Sequence, residues 1–157
     1  MQTIPPPTLG PDKALAIGAY GETVAAYRYL VFAERVASKS HRDAFSAMAD
    51  EEQDHKQRLQ GLLSRMYPEA DFVLSERDKE LVVVGPRLLD VRAEKQFAEA
   101  LDHTLATEQK TSAFYRSLSQ TIREAPLAAL FKELSEEGAE HYHRLRELVR
   151  EVTGSAG

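Results

Sequence analysis

The sequence predicts an all-α fold, an antiparallel four-helix bundle with one long crossover between its second and third helices. Three observations carry this expectation. Apolar residues recur at three- and four-residue spacing along four long stretches. The connections between those stretches run short, long, short. Sliding the chain against itself by 86 residues lays the first pair of stretches on the second pair without a gap.

Residues 1–11, with Pro5, Pro6 and Pro7, read as an extended tail, and 12–152 as a single helical domain ahead of a disordered end at 153–157. The first helix is expected from Asp12 to about Ser38, with Leu15, Ala19, Ala26, Tyr29, Ala33 and Val36 on one stripe. Ser40 followed by Asp43 resembles a capping box that starts a second helix, from about His41 to Met66 ahead of Pro68. Residues 68–91 break the pattern with Pro68, Pro86 and the β-branched run Val82, Val83, Val84, which suits either crossover packing or a subunit contact. A third helix follows from about Arg92 to Arg123. Pro126 suits the first turn of a fourth, which continues to about Val152. The middle connection is too long for a turn. It matches the reach needed to travel back along a helix of some 40 Å. That is the connectivity of a bundle with one crossover. Two separate hairpins fit less well, because neither would bury its apolar face alone.

The chain of 157 residues is long enough for one domain with a substantial core. Apolar residues make up 43% and charged residues 29%, the balance of a globular rather than a disordered chain. The 20 basic against 25 acidic side chains, a net charge of −5, disfavour a nucleic-acid binder. Cysteine is absent, which removes disulfides, thiolate catalysis, zinc fingers and iron–sulfur sites. Any metal must therefore be held by carboxylates and imidazoles. The N-terminus has neither a basic nor an apolar signal region, and no stretch is apolar enough to span a membrane. A soluble, cytoplasmic protein is expected.

The 86-residue repeat pairs Leu15 with Leu101, Glu22 with Glu108, Tyr29 with Tyr115, Phe45 with Phe131, Glu51 with Glu137, His55 with His141, Arg58 with Arg144, Leu59 with Leu145, and Leu62 with Leu148. The apolar pairs mark a core, yet a Glu, a Tyr and a His repeat on the same helical faces. Glu22 lies in the middle of the stripe formed by Leu15, Ala19, Ala26 and Tyr29. Glu52 is flanked by Phe45, Met48, Ala49 and Leu59, and Glu108 by Leu101, Leu105 and Tyr115. His141 lies between Leu134 and Leu145. Each helix thus turns a metal-type ligand inward. Buried, mutually repelling carboxylates are costly unless concentrated positive charge offsets them, and two divalent ions supply it. Glu52 and His55, three apart, share one face, as in carboxylate-bridged di-iron bundles. His41 and His103 lie off the inward face and are expected in solvent.

On Glu22, Glu52-Gln53-Asp54-His55, Glu108 and Glu137-Gly138-Ala139-Glu140-His141, the chain resembles the ferritin-like superfamily, and within it the rubrerythrin-type branch without a rubredoxin domain. The resemblance spans Asp12 to about Val152. It implies a cofactor of two iron ions, with manganese or zinc also accommodated, held by Glu22, Glu52, His55, Glu108, Glu137 and His141. It also implies tyrosines, here Tyr29 and Tyr115, hydrogen-bonded to the ligands. The implied chemistry is oxidation of Fe(II) by dioxygen or peroxide, in a homodimer served by an external electron donor.

Two positions depart from that pattern. The repeat partner of Glu52 is Gly138, where a bridging carboxylate belongs, and Glu137 is its expected replacement, with Glu140 and His143 as the alternative pair. The additional glutamate three residues after Glu108 is Thr111. Two other readings therefore stand beside the di-iron oxidoreductase. One is a ferritin-like scaffold that binds one metal or none and acts through protein interaction. The other is a di-iron hydroxylase of an organic substrate.

Overall fold

The computed structural model describes residues 9–154, so Pro5 to Pro7 and the chain end after Gly154 lie outside the described residues. Within that range the chain forms α1 (Pro11–Arg35), α2 (Lys39–Met66), α3 (Glu76–Glu80), α4 (Glu94–Thr121) and α5 (Ala125–Thr153). The four long helices are those the periodicity predicts, and the differences are local. α2 starts at Lys39, because Ser38 rather than Ser40 accepts the His41 N–H, at 3.4 Å. The five-residue α3 inside the crossover is too short to show a period. It is held by a capping box in which Ser75 and Asp78 each accept the other's backbone N–H. α5 ends where Gly154 turns left-handed at φ 67°.

The long helices run antiparallel in both cross-hairpin pairs. On α1 and α4, Arg35 meets Glu94, Tyr29 meets Glu108, and Glu22 meets Tyr115, so one number falls as the other rises. On α2 and α5, His41 meets Glu151, Glu52 meets His141, and Arg58 meets Glu133. Two apolar clusters fill the ends of the bundle. One contains Leu15, Leu59, Phe114, Leu118 and Phe131. The other contains Phe32, Phe45, Phe97, Leu101 and Leu145, with Phe32 edge-on to Phe45 and Phe97. Between them lies a belt of buried polar side chains: Glu22, Glu52, His55, Glu108 and His141.

The crossover is fastened rather than loosely draped. Val82 and Val83 are buried in the core, which resolves the valine run as crossover packing. Arg28 of α1 is fully buried and donates to the carbonyls of Val84 (2.6 Å) and Pro86 (3.0 Å) and to Thr107 Oγ1 (3.0 Å). Thr107 also accepts the Val84 N–H, and Thr111 donates to the Val82 carbonyl. His41 and His103 lie off the inward face, as expected, and are partly rather than fully exposed. His41 lies 2.9 Å from Glu151 with its side chain 22% exposed. His103 packs so closely on the crossover that any side chain at Gly85 would collide with its ring.

Candidate metal centre

Each of the four long helices contributes to the buried belt, and the ligand-type atoms sort into two groups. Glu22, Glu52 and His55 form one, and Glu52, Glu108 and His141 the other. Within each group the donor atoms lie within 4.8 Å of one another, and all five residues are buried. Glu52 belongs to both. His55 Nδ1 stands 3.6 Å from Glu22 Oε1 and 3.9 Å from Glu52 Oε1. His141 Nδ1 lies 2.5 Å from Glu52 Oε1. The rings stand 5.5 Å apart.

The tyrosines cross over. Tyr29 of α1 donates to Glu108 Oε1 of α4 at 2.8 Å, and Tyr115 of α4 donates to Glu22 Oε1 of α1 at 2.9 Å. Gly18 makes the second bond possible, since a Cβ there would stand only 3.0 Å from the Tyr115 hydroxyl. The two bonds exchange under the 86-residue repeat, so the sequence symmetry is also a symmetry of the centre.

The rim repeats it again. His141 Nε2 lies 3.1 Å from Glu51 Oε2, which accepts from Arg144 at 2.8 Å. His55 Nε2 lies 3.5 Å from Glu137 Oε2, which accepts from Arg58 at 2.8 Å. Glu137 therefore stands outside both ligand groups, half-exposed and turned toward Arg58 and the outward nitrogen of His55. Glu51 was not singled out from the sequence, although its repeat partnership with Glu137 and that of Arg58 with Arg144 were the signal. Gly138 faces the α4–α5 seam, where Ser112 and Ser135 donate reciprocally to each other's carbonyls. A Cβ at Gly138 would stand 3.4 Å from Ser112 Cβ, in contact before any longer side chain began. Among the alternatives on α5, His141 is turned inward, whereas His143 and Glu140 are exposed.

Without an ion the belt redistributes protons. Burial, followed by the charges of Glu22 and Glu108, drives the Glu52 pKa far up. Burial and the Glu22 charge push Glu108 up to about 8. Burial acts to raise Glu22 as well, but hydrogen bonds to Glu52, His55 and Tyr115 outweigh it, and Glu22 is held below the usual range. Burial acts to lower His55, which the Glu22 and Glu137 carboxylates overcome, so its pKa is raised. Burial lowers His141, with Arg144 and His55 adding to the effect. Three buried carboxylates and two imidazoles that turn their Nδ1 atoms inward suit borderline divalent ions such as Fe, Mn or Zn.

The rubrerythrin family model matches residues 13–98, a span of 86 residues and more than half of the chain. The chain belongs to the rubrerythrin family. The matched span contains Glu22, Glu52 and His55 and stops before Glu108, so the α4–α5 half of the centre rests on the geometry above. A hypothetical protein from Pyrococcus furiosus is similar in fold to this chain, with a TM-score of 0.74 and 22% identity over 90% of each chain. No curated protein matches the sequence. Among the described residues no helix is long and apolar enough to cross a membrane.

Proposed function

We propose that this rubrerythrin-family chain holds two iron ions and oxidises Fe(II) with dioxygen or peroxide. Glu22 and His55 would hold one ion and Glu108 and His141 the other, with Glu52 between them. The observation that carries the reading is that the two buried ligand groups share one carboxylate. Bound ferrous ions supply the electrons that reduce the oxidant and the Lewis acidity that polarises it. The chain's own residues prepare the site. Tyr29 and Tyr115 fix one oxygen of Glu108 and of Glu22, leaving the other oxygen of each carboxylate for the ion. Burial and the neighbouring carboxylates raise the pKa of both phenols, so each remains a proton donor. Glu51 and Glu137 face the outward imidazole nitrogens and favour the tautomer that leaves Nδ1 free for metal. The apolar clusters on either side exclude bulk water.

The reading extends to a homodimer that draws on an external electron donor. Anaerobic Fe(II) titration tests its foundation: uptake should reach close to two ions per chain and collapse in E52A. Uptake of one ion or none by the wild-type chain would instead favour a ferritin-like scaffold that acts through protein contacts.

A further inference from the structure

A groove of about 770 Å³ runs along the outer face of the α4–α5 hairpin, within the size range of organic-ligand sites. Glu108 lies at one end, beside Tyr142. Arg116 and Lys132 lie toward the other, which continues to Ser119 and Gln120, with Ser112 and Ala113 between. Glu108 and Ser112 also line the small inner cavity that contains Glu22, Glu52 and His55. The groove and the candidate metal centre therefore share a wall. Arg116 and Lys132 are both exposed, and among the described residues neither the Arg116 guanidinium nor the Lys132 ammonium has an ion pair or side-chain hydrogen bond. Glu136 stands on the same wall, so the cationic end carries one net positive charge (two cations against one carboxylate). Arg116 and Glu108 are eight residues apart on one helix, about 12 Å along its axis.

We propose that this groove binds an elongated organic monoanion of the medium-chain carboxylate class. Its charged group sits at Arg116 and Lys132, and its uncharged end lies against Glu108. Two unpaired cations at one end select the anion. Ala113, Ala139 and Tyr142 offer apolar contacts within an otherwise polar lining, and the length fits a chain of that class rather than a compact ion. Binding rests on this chain's own groove. Only the position of the far end beside a metal centre rests on the di-metal reading.

The experiment measures binding of octanoate, octylamine and octanol to the full chain by calorimetry, with Co(II) uptake followed separately. Octanoate should bind one to one, and the amine and alcohol roughly tenfold or more weakly. R116Q/K132Q should weaken octanoate by about the same factor and leave Co(II) uptake unchanged. In Co(II)-loaded protein, the octanoate methyl resonance should broaden more than the one beside the carboxylate. Absence of saturable octanoate binding, equal binding of the amine, or indifference to R116Q/K132Q overturns the proposal, as does uniform broadening. Selective octanoate binding by a chain that takes up no Co(II) would instead uphold the groove and defeat the di-metal reading.

Discussion

At the scale of single residues, the rim glutamates separate what faces a metal from what holds a ligand in place. Glu51 and Glu137 each reach an outward histidine nitrogen and an arginine of the opposite hairpin's α2 or α5. Partners of this kind typically contribute about 10- to 100-fold in metal affinity. E51Q and E137Q should each weaken Zn(II) binding by roughly that factor while two ions still bind, as read by competition with a chromophoric chelator. Outright loss of one ion in E137Q would instead make Glu137 a direct ligand. The buried residues of the centre were legible in the sequence for a simple reason: a glutamate or histidine in the middle of an apolar stripe has nowhere else to point. Glu137 was not, because sharing a helical face with His141 does not reveal how far a long side chain travels. That is settled by Arg58, which lies on another helix and 79 positions away in the chain.

At the scale of elements, the long helices were readable because each repeats its pattern over many turns, whereas α3 spans five residues and offers no period. The crossover's path was legible only as a length. Its fastening depends on Arg28, a residue whose type argues for the surface and whose burial follows from the carbonyls it meets. Burial lowers the Arg28 pKa, and the Arg87 charge adds to the effect, without a carboxylate to compensate. Hydrogen bonds to the Val84 and Pro86 carbonyls and to Thr107 sustain it instead. R28M removes three hydrogen bonds that fasten the crossover and leaves Val84 and Thr107 only the bonds they make to each other, which should cost roughly 3 kcal/mol, measured by urea unfolding. The same substitution should open the 67–93 segment to limited proteolysis before the helices unfold. Equal cleavage in wild type and R28M would show that the valines alone hold the crossover down. Thr111 belongs to the same fastening: where the family pattern places a further glutamate, this chain places a hydroxyl that bonds the Val82 carbonyl.

At the scale of the whole molecule, the buried acids tie the stability of the metal-free protein to pH. Glu108 titrates at about 8 in the folded state against an ordinary value of 4.5. A carboxyl whose pKa is raised by folding contributes stability that is complete below its unfolded value and lost as pH climbs through its folded value. Glu52 is raised in the same direction, and so is His55 from 6.5, so all three withdraw stability as pH rises from about 5 to 8. His141 opposes them. Its lowered pKa keeps it neutral in the fold and favours folding above 6.5, but it is one group against three. Glu22, held low, matters only below the ordinary carboxylate range. The melting temperature of the chelator-treated protein should therefore fall between pH 5 and pH 8, by a free energy on the order of a few kcal/mol. In E108Q the fall should be shallower, and the variant should be more stable than the metal-free wild type at pH 8. Ions bound at the centre displace those protons and stabilise only the folded chain, so Zn(II) loading should raise the melting temperature most at pH 8 and flatten or reverse the slope. Differential scanning calorimetry at pH 5, 6.5 and 8, with and without zinc, reads all of these together. A metal-free protein that gains stability across that range would mean that the three acids face water and carry their charges unaided.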